Sequence, residues 1–210
     1  MPIYKLLSQK FCHDIASPLN VLGLVINAQK IDNDDLSHAQ QSYEYMVSLL
    51  NMYRALSARS PQANAIEKAM SIVRELCNYK RVKYGACVDS APDSGVPYLI
   101  DDSTLPCSIE TEADIGKVLC CIYWAAASHL CANDSFVVKQ RSQRCFEIQL
   151  TTAKEIHGDK ILMPRAASGE GEPSGDAPLY LLKALLDKHS ATIDVTATPD
   201  EKVHTIVVKL

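Results

Sequence analysis

The stretch Phe11-Cys12-His13-Asp14-Ile15-Ala16-Ser17-Pro18-Leu19-Asn20-Val21-Leu22 decides how this chain reads. Ile15, Leu19, Leu22 and Ile26 fall at i, i+4, i+7 and i+11, the spacing of an apolar seam along a helix. His13 stands two residues before that seam, which at 3.6 residues per turn puts it well off the core line. Asp14 is its neighbour, and Ser17 follows one turn later on the same side as His13. Lys10 precedes His13 by about one turn. An exposed imidazole beside a carboxylate has specific chemistry. The carboxylate holds a proton on one ring nitrogen and raises the basicity of the other, which can then attack phosphorus. Ser17 can hydrogen-bond a phosphoryl oxygen or an attacking water, and Lys10 can attract an anionic group. A lone His-Asp pair more commonly marks an ordinary surface histidine. Pro18, five residues past His13 in the first helix of a hairpin, makes the constellation specific.

Outward from this stretch, residues 3–29 read as one helix, with a local bend expected at Pro18, which lacks a backbone donor. The acidic run at 31–35 is a turn, and Asp34 or Asp35 is expected to cap the next helix. Residues 36–59 form that helix, with Tyr43, Met46, Leu50 and Tyr53 as its expected apolar face. Two long helices with a short connection make an antiparallel hairpin. Such a hairpin cannot bury both stripes alone. Pairing with a second copy gives a dimeric four-helix bundle; packing on the rest of the chain is the alternative.

Ser60-Pro61 marks a boundary between a hairpin at 1–60 and a second unit at 61–210. The second unit reads as a helix at 62–80 with Ile66, Met70, Val73 and Leu76 on one face. Short strands at 82–88 and 105–110 follow, then a helix at 112–131 that is apolar almost all round and so should be buried. Strands at 135–140 and 144–152, a small-residue loop at 153–177, a helix at 178–189 and strands at 191–197 and 203–209 complete it. The expected fold class is α+β, a helical hairpin followed by a two-layer α/β sandwich.

Composition narrows the function. The 210-residue chain carries a net charge of only −4, so no broad basic field points to nucleic acid or a membrane. The eight cysteines include no CxxC pair and show no zinc spacing with histidine. Most lie in apolar runs as small hydrophobes, so they read as reduced thiols of a cytoplasmic protein. The amino-terminal residues do not read as a signal peptide, since Lys5 and Lys10 interrupt the apolar stretch, and no run reaches the length of a membrane span.

His13, Asp14, Ser17, Pro18 and Leu19 together resemble the H-box of sensor histidine kinases. In that family the box sits on a dimeric helical hairpin, and an ATP-binding α/β sandwich follows, the element order expected here over nearly all 210 residues. The family's nucleotide boxes are another matter. The asparagines of its metal-binding helix would fall near Cys121 and Ala125, and neither offers the oxygen that Mg²⁺ requires. No Asp-x-Gly follows the strand at 146–150, where His157 and Gly158 read as turn residues. The Gly-rich stretch containing Gly169, Gly171 and Gly175 is interrupted by Glu170, Glu172, Pro173, Asp176 and Pro178, and reads as a surface loop rather than a phosphate cradle.

A preserved H-box with dismantled nucleotide boxes resembles the ChpT-like histidine phosphotransferases, phosphorelay proteins with a kinase-like architecture. That resemblance implies a homodimer with His13 as phosphoacceptor. It would take a phosphoryl group from the receiver domain of a hybrid histidine kinase and pass it to the receiver of a response regulator. It implies no stably bound cofactor, with Mg²⁺ supplied by the receiver; the small net charge and the lack of a long apolar run are what leave no nucleic-acid or membrane partner expected. Spacing around His13 nominates Leu6, Lys10, Ser17, Asn20 and Val21 on the first helix, and Tyr53 and Arg54 on the second, for receiver docking. Two other readings stay open: an active histidine kinase with an atypical ATP site, and a non-catalytic dimeric interaction module. Phosphatase action through Ser17 is compatible with the relay.

Overall fold

The computed structural model describes residues 3–61, 63–88, 108–142, 144–156, 161–162 and 175–210. Helix α1 spans Ile3–Ile26 and continues through Pro18, which is buried. Helix α2 spans Asn33–Ser57, and α1 packs along it to form the hairpin. The cap of α2 differs from expectation. Asp32, rather than Asp34 or Asp35, is the N-cap: its side chain accepts from the Asp35 N–H at 2.8 Å, and the Asp35 carboxylate accepts from the Asp32 N–H at 3.2 Å. This reciprocal box satisfies two of the helix's orphan donors, so the helix starts earlier than the apolar pattern alone suggests.

Helix α3 (Ala65–Tyr79) leads into strand β1 (Lys83–Val88), and helix α4 (Ile109–Ala126) leads into β2 (Ser135–Ser142) and β3 (Cys145–Thr151). Helix α5 (Ala177–His189) precedes the hairpin β4 (Thr192–Ala197) and β5 (Val203–Lys209). The sheet order is β1-β2-β3-β5-β4, with β1 parallel to β2 and every other pairing antiparallel. The strand candidate at 105–110 is not a strand where it is described: Ser108 caps α4, accepting from the Thr111 N–H, and residues 105–107 lie outside the described residues. Most of the expected loop at 153–177, including Gly169 and Gly171, and the turn at His157 and Gly158, also lie outside them.

Alternation in the strands explains the layering. Phe136, Val138, Phe146, Ile148, Leu150, Ile206 and Val208 are buried on one face, and their register places Phe146 opposite Val208 and Ile148 opposite Ile206. Helix α4 lies in that core, with Tyr123 edge-on to Phe136 at 5.4 Å between ring centroids. As its sequence predicts, α4 is buried nearly all round, Ile115, Cys120, Cys121 and Ile122 completely. It also crosses α3 closely: a Cβ on Gly116 would stand 2.7 Å from the Ala65 carbonyl oxygen.

One apolar core runs through both units. Leu6, Leu7, Leu49, Met52 and Leu56 of the hairpin share it with α3, α4 and the sheet. This corrects the expected inner face of α2. Leu49, Met52 and Leu56 turn inward, whereas Tyr43 is exposed and Met46, Leu50 and Tyr53 are half-buried. Two helical faces compete for burial, and the sandwich takes the one carrying Leu49, Met52 and Leu56. The remaining apolar stripe, Leu19 and Ile26 on α1 with Leu36, Tyr43 and Val47 on α2, is exposed on this single chain.

Candidate functional site

His13 lies midway along α1 with its side chain 83% exposed. Its Nδ1 is 3.0 Å from Asp14 Oδ1. With the proton on Nδ1, the ring donates to this carboxylate and Nε2 is left with its lone pair, the tautomer a nucleophilic imidazole requires.

Asp14 is the organising group. Lys10 Nζ donates to both of its oxygens, at 3.2 and 3.0 Å, across one turn of α1. Trp124, near the end of α4, donates its indole N–H to Oδ2 at 2.7 Å. The Lys10 ammonium also lies 5.5 Å from the centre of the Trp124 ring, within cation–π range. Burial alone would raise the Asp14 carboxyl. The Lys10 charge and the hydrogen bonds from His13, Lys10 and Trp124 outweigh it and hold the group below its ordinary range. Asp14 is therefore a fixed anion that faces the imidazole with one oxygen and is anchored through the other.

The cationic surroundings extend to Lys80 at the end of α3, which donates to the Ala127 carbonyl and feels the Asp14 charge. Burial nevertheless lowers the Lys80 ammonium from its ordinary range. Beside it, Tyr45 of α2 stacks on Tyr79 of α3 with ring centroids 3.9 Å apart, a second tie between hairpin and sandwich.

The nominated docking residues divide. Ser17 and Asn20 are exposed on α1 past His13, Val21 is half-buried, and Arg54 is exposed on α2. Tyr53 is half-buried: its ring stacks on Phe11 at 5.1 Å and its hydroxyl meets Ser8 Oγ at 2.8 Å. Leu6 is a correction. It is only 5% exposed and belongs to the core, because the early part of α1 lies over the sandwich rather than facing solvent. Lys10 is engaged with Asp14 and Trp124 instead of projecting freely.

Sequence reading missed Trp124. Its bond to Asp14 joins residues 110 positions apart, and in an apolar helix a Trp reads as core. The available signal was chemical: a buried indole N–H needs an acceptor. A second polar knot was also missed. Buried Asp114 of α4 accepts from Lys188 at 2.6 Å and meets His189 Nε2 at 2.9 Å, clamping the end of α5. Its carboxyl is held below the ordinary range: burial opposes this, but the Lys188 and His189 bonds prevail. Among the described residues, no three His, Cys, Asp or Glu side chains gather as a metal site. No described helix is long and apolar enough to cross a membrane.

A helical hairpin carrying this histidine, joined to a mixed sheet layered with helices, is an α+β fold. The solved structure of a bacterial phosphotransferase shares it over 99% of this chain and 95% of its own, with TM-score 0.70 and 17% identity. Two looser likenesses are the histidine kinase domain of a blue-light-activated kinase from Erythrobacter litoralis (TM-score 0.45, 11% identity, 99% of this chain and 91% of that one) and the mycobacterial sensor histidine kinase MprB (TM-score 0.44, 14% identity, 70% and 91%). No protein-family model and no curated protein sequence matches the chain.

Proposed function

We propose that this protein is a histidine phosphotransferase of a two-component phosphorelay, carrying a phosphoryl group between receiver-domain aspartates on His13. The observation that carries the reading is an imidazole that is 83% exposed and whose Nδ1 is held by an anchored carboxylate, which leaves Nε2 as the nitrogen to react. A phosphorylated receiver presents an aspartyl phosphate and its Mg²⁺. Nε2 attacks the phosphorus, the N–P bond forms, the P–O bond to aspartate breaks, and the aspartate leaves as a carboxylate. The Nδ1 proton stays on the ring, and the positive charge that builds there faces Asp14. Transfer onward is the reverse reaction. The contribution of this chain is positioning and electrostatics.

Two features favour a relay over a kinase. Helix α4, where the kinase family places its metal-binding asparagines, has Cys121 fully buried among apolar side chains. Its outer end is occupied by the Trp124–Asp14 bond. The exposed apolar stripe on the hairpin favours a homodimer with two His13 sites, and the exposed Ser17, Asn20 and Arg54 are the residues this reading offers to a receiver.

The test is radiolabel transfer from a phosphorylated receiver domain. The wild-type chain acquires an acid-labile label, the His13→Ala variant acquires none, and neither acquires label from ATP with Mg²⁺. Label persisting on His13→Ala defeats the assignment, and label from ATP makes the chain a kinase.

A further inference from the structure

Trp124 stands on the helix that in a kinase would serve nucleotide, yet its one polar atom is spent on the hairpin. The indole N–H reaches Asp14 Oδ2 at 2.7 Å while Asp14 Oδ1 lies 3.0 Å from His13 Nδ1. The carboxylate thus bridges α4 to the imidazole. A carboxylate free to rotate about its last torsion would offer His13 either oxygen, or neither, in turn. With one oxygen taken by Trp124, which is itself buried at 4% exposure, the other is held toward His13. Lys10 reinforces the arrangement from α1 but sits on a flexible four-carbon stem. The indole is planar and packed, so it is the rigid member of the pair.

We propose that Trp124 is a positioning residue for His13, acting through Asp14, so that the sandwich sets the tautomer and orientation of the imidazole on the hairpin. This rests on the reading of His13 as phosphoacceptor, but its structural half can be tested without any transfer.

The first arm is a double-mutant cycle. Trp124→Phe keeps an aromatic ring, though a smaller one, and deletes the donor; the Asp14→Ala background separates the lost hydrogen bond from the lost packing. The variant's transfer rate from a phosphorylated receiver should fall roughly ten- to a hundredfold, the rate equivalent of one hydrogen bond to a charged group, with the apparent KM for the receiver unchanged. In an Asp14→Ala background the same substitution should change nothing further, because its route is gone. The second arm is nitrogen NMR of His13. The neutral ring should be chiefly the Nδ1–H tautomer in the wild type and shift toward Nε2–H in Trp124→Phe.

Wild-type transfer and an unchanged tautomer in Trp124→Phe would overturn the proposal, as would an equal slowing in both backgrounds, which marks a merely structural effect. Should Trp124→Phe not fold, the chain's single tryptophan supplies the decision, since its indole proton gives one resonance. That resonance should move upfield in Asp14→Ala, and an unmoved resonance overturns the proposal. If the wild type takes no phosphate from any receiver, the relay reading fails and the two NMR measurements alone judge Trp124.

Discussion

Replacing Ile26 and Leu36 together by alanine should split the proposed dimer into folded monomers. The two residues sit on opposite sides of the hairpin turn, each on a heptad-spaced stripe with Leu19 or Tyr43. On the single chain Ile26 is 77% exposed and Leu36 55%. Fully burying such a side chain contributes ~1.5–3 kcal/mol, so covering the exposed two-thirds contributes about 1–2 kcal/mol each time it occurs. A two-fold interface contains every residue twice, so each position carries ~2–4 kcal/mol of dimerisation. The double variant should therefore weaken the dimer at least ~1000-fold. Alanine is a good helix former and neither side chain is in the core, so the protomer should keep its secondary structure. Light scattering coupled to size exclusion, run over a range of concentrations, reads the result directly. A wild type that is monomeric at high micromolar concentration, or a double variant as tightly dimeric as the wild type, refutes the reasoning.

Two further outcomes follow from single contacts. Asp14 is held below its ordinary carboxyl pKa, so the unfolded chain binds its proton first as pH falls. Its ion pairs therefore stabilise fully above the unfolded value, near 3.8, and that stability is lost as pH drops through the lowered folded value. The stability gap between wild type and Asp14→Asn in urea unfolding should accordingly be widest near neutrality and close below pH 3.8; a gap that does not depend on pH contradicts this. Gly116→Ala drives a methyl to 2.7 Å from the Ala65 carbonyl, forcing α4 from α3, and should cost about 1–3 kcal/mol in denaturant unfolding. An unshifted midpoint would mean that the crossing is looser than described.

Much of this arrangement was legible in the sequence, and for identifiable reasons. Strands β3 and β5 bury alternate residues almost to their ends and β2 does so as far as Val138, and α4 is apolar enough to announce its burial. The contact between His13 and Asp14 was legible because their relation is local, one residue apart on one helix. The errors arose where distant parts of the chain compete. Helix α2 has apolar residues on more than one face, and only the position of the sandwich decides that Leu49, Met52 and Leu56 turn inward while Tyr43 stays out. Leu6 looked like a surface neighbour of His13 for the same reason. Trp124 escaped notice because no pattern in α4 announces a carboxylate on α1. The α2 cap was misplaced by three residues or fewer because Asp32, Asp34 and Asp35 are chemically alike, and only the reciprocal bond to Asp35 singles out Asp32.

The core shared by hairpin and sandwich bears on timing. Leu7 and Met52 are buried in the same cluster as Ile122 and Phe136, so the two halves cannot part without wetting apolar surface. Motion between hairpin and sandwich is therefore not what would carry a group to His13. In the proposed relay the phosphoryl group comes on a separate receiver, so the rate of transfer should scale with receiver concentration up to the frequency of encounter.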